Sequence, residues 1–214
     1  MKIKLFFLAL LAVSAILNAD AQSKTKYSYL SQKQNIPVEL GKVYLGMPFA
    51  SFARQVNLKD ARVDNRFEWL ECTLPFVKGN VVGISFKVSG LAEDDTAKMI
   101  HKVTRPGNTE NGDEYEEEVQ MIDPAKIPPK TGGIVYEISV RYKKGFDLKG
   151  QALKMFGAAK EKDIYKKGDE FHIFDIQWTK KTSDGLTTLI RYYRETNSIK
   201  LAGIIEKTEW DPNG

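Results

Sequence analysis

Ile134-Val135-Tyr136-Glu137-Ile138-Ser139-Val140-Arg141-Tyr142 is the stretch on which the architecture turns. Ile134, Tyr136, Ile138, Val140 and Tyr142 recur at every second position, the period of a strand with one apolar side. The period then changes. Leu148, Ala152, Met155, Phe156 and Ala159 fall at helical spacing, with Gly157 near the helix end. Beyond them Phe171–Trp178, Leu186–Arg194 and Ile199–Glu206 read as three consecutive antiparallel strands, and Ser183-Asp184-Gly185 is a hairpin turn. The second half is strand, helix, meander.

The first half starts in a similar way. Gly41–Pro48 leads into a helix whose Phe49, Phe52, Ala53 and Val56 form one apolar stripe, with Pro48 suited to the first turn. A strand is predicted over Arg66–Leu74, a turn at Lys78-Gly79-Asn80, and a second strand in which Val82, Ile84, Phe86 and Val88 alternate with polar or small residues. Ala92, Met99, Ile100 and Val103 then fit a second helix, opened by Glu93-Asp94-Asp95 and closed by Arg105-Pro106-Gly107-Asn108. Residues 105–113 read as a loop and Tyr115–Ile122 as a strand with a charged outer side.

Pro124, Pro128, Pro129 and Gly132-Gly133 mark a connector over residues 124–133. The expected organisation is a mobile lead-in at 22–40, one α+β unit at 41–123, and a second at 134–214. Each unit has a short helix, an aromatic-rich hairpin and a tryptophan in the first hairpin strand, Trp69 and Trp178. The fold class is α+β, with short amphipathic helices packed on one face of antiparallel sheet. One continuous sheet and two separate sheets are both compatible with this pattern.

Residues 1–21 are expected to be an address. Lys2 and Lys4 precede the apolar run Leu5–Leu17, which is shorter than the roughly 20 residues that span a bilayer. Ala19-Asp20-Ala21 offers small residues for cleavage after Ala21. No cysteine for a lipid anchor lies near this point, and no later run is long enough to insert in a membrane. The expected location is periplasmic or secreted.

Composition narrows the chemistry. The 214 residues are 42% hydrophobic and 28% charged, which excludes collagen-like, disordered and polytopic membrane chains. One cysteine and two histidines exclude a disulfide framework and a Cys- or His-rich metal centre. A net charge of +4 gives no sign of nucleic-acid binding. Charge is uneven, however: residues 91–123 carry ten acids against three bases, an acidic island between mildly basic flanks.

Val43-Tyr44-Leu45-Gly46-Met47-Pro48-Phe49, running into a short helix, is similar to the opening Gly-Met helix motif of the β-lactamase-inhibitor-protein-like and small outer-membrane-assembly-lipoprotein superfamily. Phe156-Gly157 resembles the helix-ending glycine of such repeats. The likeness spans about 15 residues per unit and is short and apolar. Tyr142-Lys143-Lys144-Gly145-Phe146 stands where the second unit would need its Gly-Met start, and the acidic insert has no counterpart. The resemblance implies an envelope or secreted binding module without catalytic residues. It transfers no contact residue.

Reactive groups are few in this sequence. Ser85, in Gly83-Ile84-Ser85-Phe86, lies inside a predicted strand and lacks the second nucleophile-elbow glycine. His101 falls on the polar side of the predicted second helix, and His172 shares a predicted strand face with Phe174, Ile176 and Trp178. Cys72 alternates with Leu70 and Leu74 and reads as a buried thiol beside the unhelpful Glu71. An EF-hand alignment of the acidic stretch places Gly112 at the turn and Glu118 at the closing ligand. Its first ligand position then falls on Gly107, which has no carboxylate. Diffuse cation binding over 110–118 stays open. Asp175 is the one conspicuous strand carboxylate, and Thr131-Gly132-Gly133 is a turn rather than a phosphate cradle.

The expected function is therefore an exported binding or accessory module of the bacterial cell envelope, with no catalysis, no cofactor and no metal. Its partner would be a protein or another envelope component, met through a polar, basic sheet face. Arg141, Gln177, Arg191, Tyr192, Tyr193 and Arg194 are the candidate contact residues, because arginine and tyrosine are the side chains that contact surfaces favour. The alternative is a periplasmic or secreted hydrolase with dispersed catalytic residues. There His172 and Asp175 are the least improbable pair, although a spacing of three on a strand points them to opposite sides.

Overall fold

The computed structural model describes residues 38–66, 69–108, 114–160, 164, 174–181 and 186–205. Helices are α1 (Phe49–Gln55), α2 (Glu93–Met99) and α3 (Leu148–Phe156). Strands are β1 (Met47–Pro48), β2 (Arg62–Asn65), β3 (Leu70–Lys78), β4 (Val81–Ser89), β5 (Ile100–Asn108), β6 (Glu114–Ile122), β7 (Ile134–Tyr142), β8 (Ile176–Lys181), β9 (Leu186–Tyr193) and β10 (Ser198–Ile205). The ten strands form one continuous sheet in the order β5-β6-β2-β3-β4-β7-β10-β9-β8, with β1 added alongside β7. Every pairing is antiparallel. The expected α+β class holds, and the sheet is one rather than two.

The order has a simple logic. Each helix-led half contains a three-strand meander, β2-β3-β4 and β8-β9-β10, and the last strand of each meander flanks β7. The acidic insert forms the β5–β6 hairpin, which extends the sheet beyond β2.

Period-two alternation sorts the side chains. Cys72, Phe86, Ile138, Leu201, Ile190 and Trp178 stand opposite one another across β3, β4, β7, β10, β9 and β8. Leu74, Ile84, Val140, Ile199, Tyr192 and Ile176 form the next row on the same side. All twelve are buried. The helices cover them: Phe52 of α1 lies 4.8 Å from the Phe86 ring, and Phe156 of α3 lies 5.6 Å from Trp178. Met99 at the end of α2 joins the same core. Burying these aromatic and branched side chains supplies the stability, at about 1.5–3 kcal/mol for each one fully removed from water.

Several sequence expectations shift. The second helix stops at Met99 rather than continuing to Val103, and Ile100–Asn108 is strand β5 instead of helix end and loop. Ile100 and Val103 are β-branched and pair with Ile122 and Val119, and that cross-strand pairing outweighs a marginal helix turn. Pro106 lies on β5, at the edge of the described sheet, the position where strands tolerate proline. His101 is accordingly an exposed strand residue opposite Met121, not a helix-surface residue. Residues 109–113 of the predicted loop lie outside the described residues.

The predicted strand at Arg66–Leu74 starts at Leu70 and runs on to Lys78, while Arg62–Asn65 forms a separate, unpredicted strand. Within the Gly41–Pro48 approach to the first helix only Met47–Pro48 is strand, and Pro48 caps α1 rather than opening its first turn. The strand predicted from Phe171 begins at Ile176, with Phe174 and Asp175 preceding it and residues 171–173 outside the described set. The two alternating patterns also change phase at bulges. Val81 and Gly83 face consecutive β7 residues, so Val81 enters the core in place of Val82. A second irregularity puts Val88 opposite Val135, so Val135 is buried while Ile134 and Tyr136 are only half-buried. The expected leader at 1–21, the lead-in up to residue 37 and the Ser183-Asp184-Gly185 turn fall outside the described residues.

Candidate functional site

Outward positions on the same strands compose the opposite side of the sheet. Thr73, Ser85, Ser139, Lys200, Arg191 and Gln177 form one row across β3, β4, β7, β10, β9 and β8. Glu71, Lys87, Glu137, Ala202, Leu189 and Thr179 form a second, and Gly83, Arg141, Ser198 and Tyr193 a third. Each of the three described helices packs on the apolar side, so none of them covers this polar side.

Charges here are largely matched. Lys87 lies between Glu71 at 3.4 Å and Glu137 at 3.8 Å, and Glu137 also meets Lys200 at 3.2 Å. Aromatic rings sit under the cations: Lys87 lies 4.9 Å from the Trp69 ring centre and Lys200 5.9 Å from Tyr193. The Arg191 guanidinium lies 4.7 Å from the Phe174 ring and donates to Gln177 Oε1 at 2.8 Å. Phe174 meets Tyr193 edge-on at 6.3 Å. Such stacked cations are held in place, and the carboxylates matched to Lys87 and Lys200 limit the net field.

Arg141 differs from Lys87 and Lys200: among the described residues it has no carboxylate within ion-pair distance. Arg191 has none either, but its guanidinium is taken up by Gln177 and the Phe174 ring. Its guanidinium lies over Gly83, where a Cβ would come within 3.2 Å of Nη2. A depression of about 210 Å³ opens beside it, lined by Ser85, Ser139, Thr73, Thr196 and Ser198. Thr73 already donates to Asp64 at 2.6 Å, and Thr196 and Ser198 share a hydrogen bond at 2.7 Å. Ser85 and Ser139, directly opposite each other, make no such side-chain bond among the described residues.

The six predicted contact residues divide. Arg141, Gln177, Arg191 and Tyr193 share the polar side. Tyr192 does not: it is only 5% exposed and stands in the core row between Ile176 and Ile199. Adjacent strand residues point to opposite sides, so Tyr192 and Tyr193 cannot belong to one surface. Burial, and then the Asp175 charge, raise the Tyr192 pKa. Arg194 lies beyond β9 and closes a clasp with Asp175, whose carboxylate accepts the Arg194 backbone N–H at 2.6 Å and faces its Nε at 3.4 Å. Asp175 therefore holds the β8–β9 end together. His172 lies outside the described residues. Cys72 is buried, and burial followed by the Asp64 and Glu71 charges pushes its thiol pKa up, so it stays protonated.

The serines and Gly83 were missed as site residues. Their signal was present, since Ser85 lies between Ile84 and Phe86 and Ser139 between Ile138 and Val140. Their meeting depends on the β4–β7 register, which joins residues 54 positions apart.

A second hollow of about 400 Å³ lies between the β3–β4 end and α2, lined in part by Arg66, Trp69, Leu91, Glu93 and Thr96. No group of three metal-ligating side chains converges among the described residues. Of the acidic stretch, Glu114–Glu118 is part of β6, where Glu117 pairs with Arg62 at 2.8 Å and Glu118 with Lys102 at 2.6 Å. No family model, curated protein or solved structure matches this chain.

Proposed function

We propose that this chain is an exported, non-catalytic binding or accessory module of the bacterial cell envelope, and that the polar side of the sheet is the surface it presents. One observation carries the reading: a continuous sheet is covered by helices on one side, while the other displays ion-paired and aromatic residues. The composition supports a partner made of protein or another envelope component, because rigid rings and ordered arginine lose little freedom on contact. A nucleic acid would require an uncompensated basic stripe, whereas Lys87 and Lys200 are already matched by Glu71 and Glu137.

Export rests on the sequence of residues 1–21, with Lys2, Lys4 and the Ala19-Asp20-Ala21 site. No described helix is long and apolar enough to cross a membrane. The short likeness of Val43–Phe49 to the inhibitor-like and assembly-lipoprotein superfamily belongs to the same proposal. The hydrolase alternative gains no comparable support, since Asp175 is committed to Arg194.

Site-specific photocrosslinking tests the surface. A photoreactive residue replacing Ser139 or Lys200 is expected to give discrete adducts in the envelope fraction of the producing bacterium. The same residue replacing Lys98 or Lys154, on the helices, is expected to give none. Equal labelling from both sides, or adducts from the helices alone, refutes the assignment. Export itself is read from the N-terminal residue of the purified chain, expected to be Gln22.

A further inference from the structure

We infer that the depression beside Arg141 is a binding site for an oxyanion, a carboxylate or phosphate group borne by the ligand. The inference rests on the polar-side reading above and names the chemistry of one point within it. Three donors carry it. The Arg141 guanidinium has no acidic partner among the described residues, while neighbouring Lys87 has two and Lys200 one. The Ser85 and Ser139 hydroxyls are half-buried, face each other across the β4–β7 pair, and make no side-chain hydrogen bond among the described residues. All three line the same space of about 210 Å³.

Strand geometry brings the donors together. Arg141 and Ser139 are two apart on β7 and therefore point to one side; Ser85 is the cross-strand partner of Ser139, and Gly83 that of Arg141. The missing side chain at Gly83 leaves a bed on which the guanidinium lies, so its fork is placed before any ligand arrives. A planar guanidinium presents paired N–H groups that match two oxygens of a carboxylate or phosphate, and a serine O–H beside it donates to the same oxygens. A neutral sugar or an apolar group would use the hydroxyls but leave the charge unanswered. A cation is opposed by Arg141 itself. The volume admits one such group and a few attached atoms, which fits the end of a larger molecule as well as a free small anion.

Amide chemical-shift titration of the full chain tests the site with three probes: inorganic phosphate, acetate and polygalacturonate. At constant ionic strength, at least one probe is expected to shift the amides of Gly83, Ser85, Ser139, Arg141 and Ser198 saturably. Arg141→Ala is expected to weaken that binding about tenfold or more, the loss of a charge-assisted fork. Arg141→Lys should recover part of it, and Ser85→Ala with Ser139→Ala should weaken it while the charge remains. Saturation by phosphate or acetate identifies a free small anion as sufficient. Saturation by the polymer alone identifies a polymer-borne carboxylate.

No saturable shift up to about 50 mM, far above the millimolar range of weak specific sites, overturns the inference. So do shifts that persist unchanged in Arg141→Ala. Arg141 is exposed on a sheet surface, so its variants report on binding rather than on folding. Photocrosslinks from Ser139 or Lys200 that survive alongside a failed titration would sink the oxyanion site and leave the binding surface standing.

Discussion

Replacing Tyr192 or Tyr193 by alanine separates the two sides of the sheet with one residue's displacement along the chain. Tyr192 is 5% exposed, with Ile176 and Ile199 as its cross-strand neighbours. Removing a buried ring of that size leaves a cavity and forfeits its transfer from water, a cost of about 3 kcal/mol. Tyr193 is half-buried on the polar side and loses an edge contact to Phe174 and a cation contact to Lys200. Those contacts amount to about 1 kcal/mol together. With a urea slope of about 2 kcal/mol per molar, the midpoint should fall by about 1.5 M for Tyr192→Ala and about 0.5 M for Tyr193→Ala. Equilibrium urea unfolding followed by circular dichroism reads both shifts. Equal losses, or a larger loss at Tyr193, would mean that the phase of β9 is wrong and with it both rows of side chains.

Three further outcomes follow from particular contacts. Asn197 adopts a left-handed φ of 46°, and its side-chain amide donates to the carbonyls of Lys143 and Phe146 at 2.8 and 3.2 Å. Asn197→Ala should cost about 2 kcal/mol and Asn197→Gly about 1 kcal/mol in chemical denaturation, because glycine regains the backbone freedom but not the hydrogen bonds. Equal losses would show that the bridging amide matters alone. Cys72, the one cysteine of the chain, should resist a thiol-specific chromogenic reagent in the native protein and react fully in denaturant; rapid native labelling would contradict its burial. Stability should fall as the medium turns alkaline, because burial raises the pKa of the Cys72 thiol and of the Tyr44, Tyr142 and Tyr192 phenols. Above the ordinary values of 9.0 for the thiol and 10.0 for the phenols, the unfolded chain releases protons that the native chain retains, and ionisation favours unfolding. Urea midpoints that stay level or rise across that range would refute the argument.

How far the sequence could be read depended on the range of the interaction. Alternation at Ile138, Val140 and Tyr142 and the α3 stripe at Leu148, Ala152 and Phe156 are local, and they give the correct element and the correct buried side. The α2–β5 boundary needed partners from elsewhere. Met99-Ile100-His101 continues a helical pattern until Ile122 and Val119 arrive to pair with Ile100 and Val103. Bulges were equally invisible, since one extra residue at Val82 or Tyr136 leaves composition unchanged while turning the following side chains over. The site divides along the same line. Arg141, Arg191 and Gln177 are conspicuous as polar residues between apolar ones. Ser85, Ser139 and Gly83 become significant only when β4 and β7 are brought into register.

Strand β7 has a consequence for the order of assembly. Both of its edges are occupied by strands distant in sequence, β4 from before the connector and β10 from near the end of the described chain. A nascent chain that has emerged only as far as Ser89 holds β4 with one margin unzipped, a template for foreign pairing until residue 142 appears. Closure must wait for contacts between residues 45 to 61 positions apart, the kind of non-local pairing that slows folding and makes the half-made chain the form most in need of shelter.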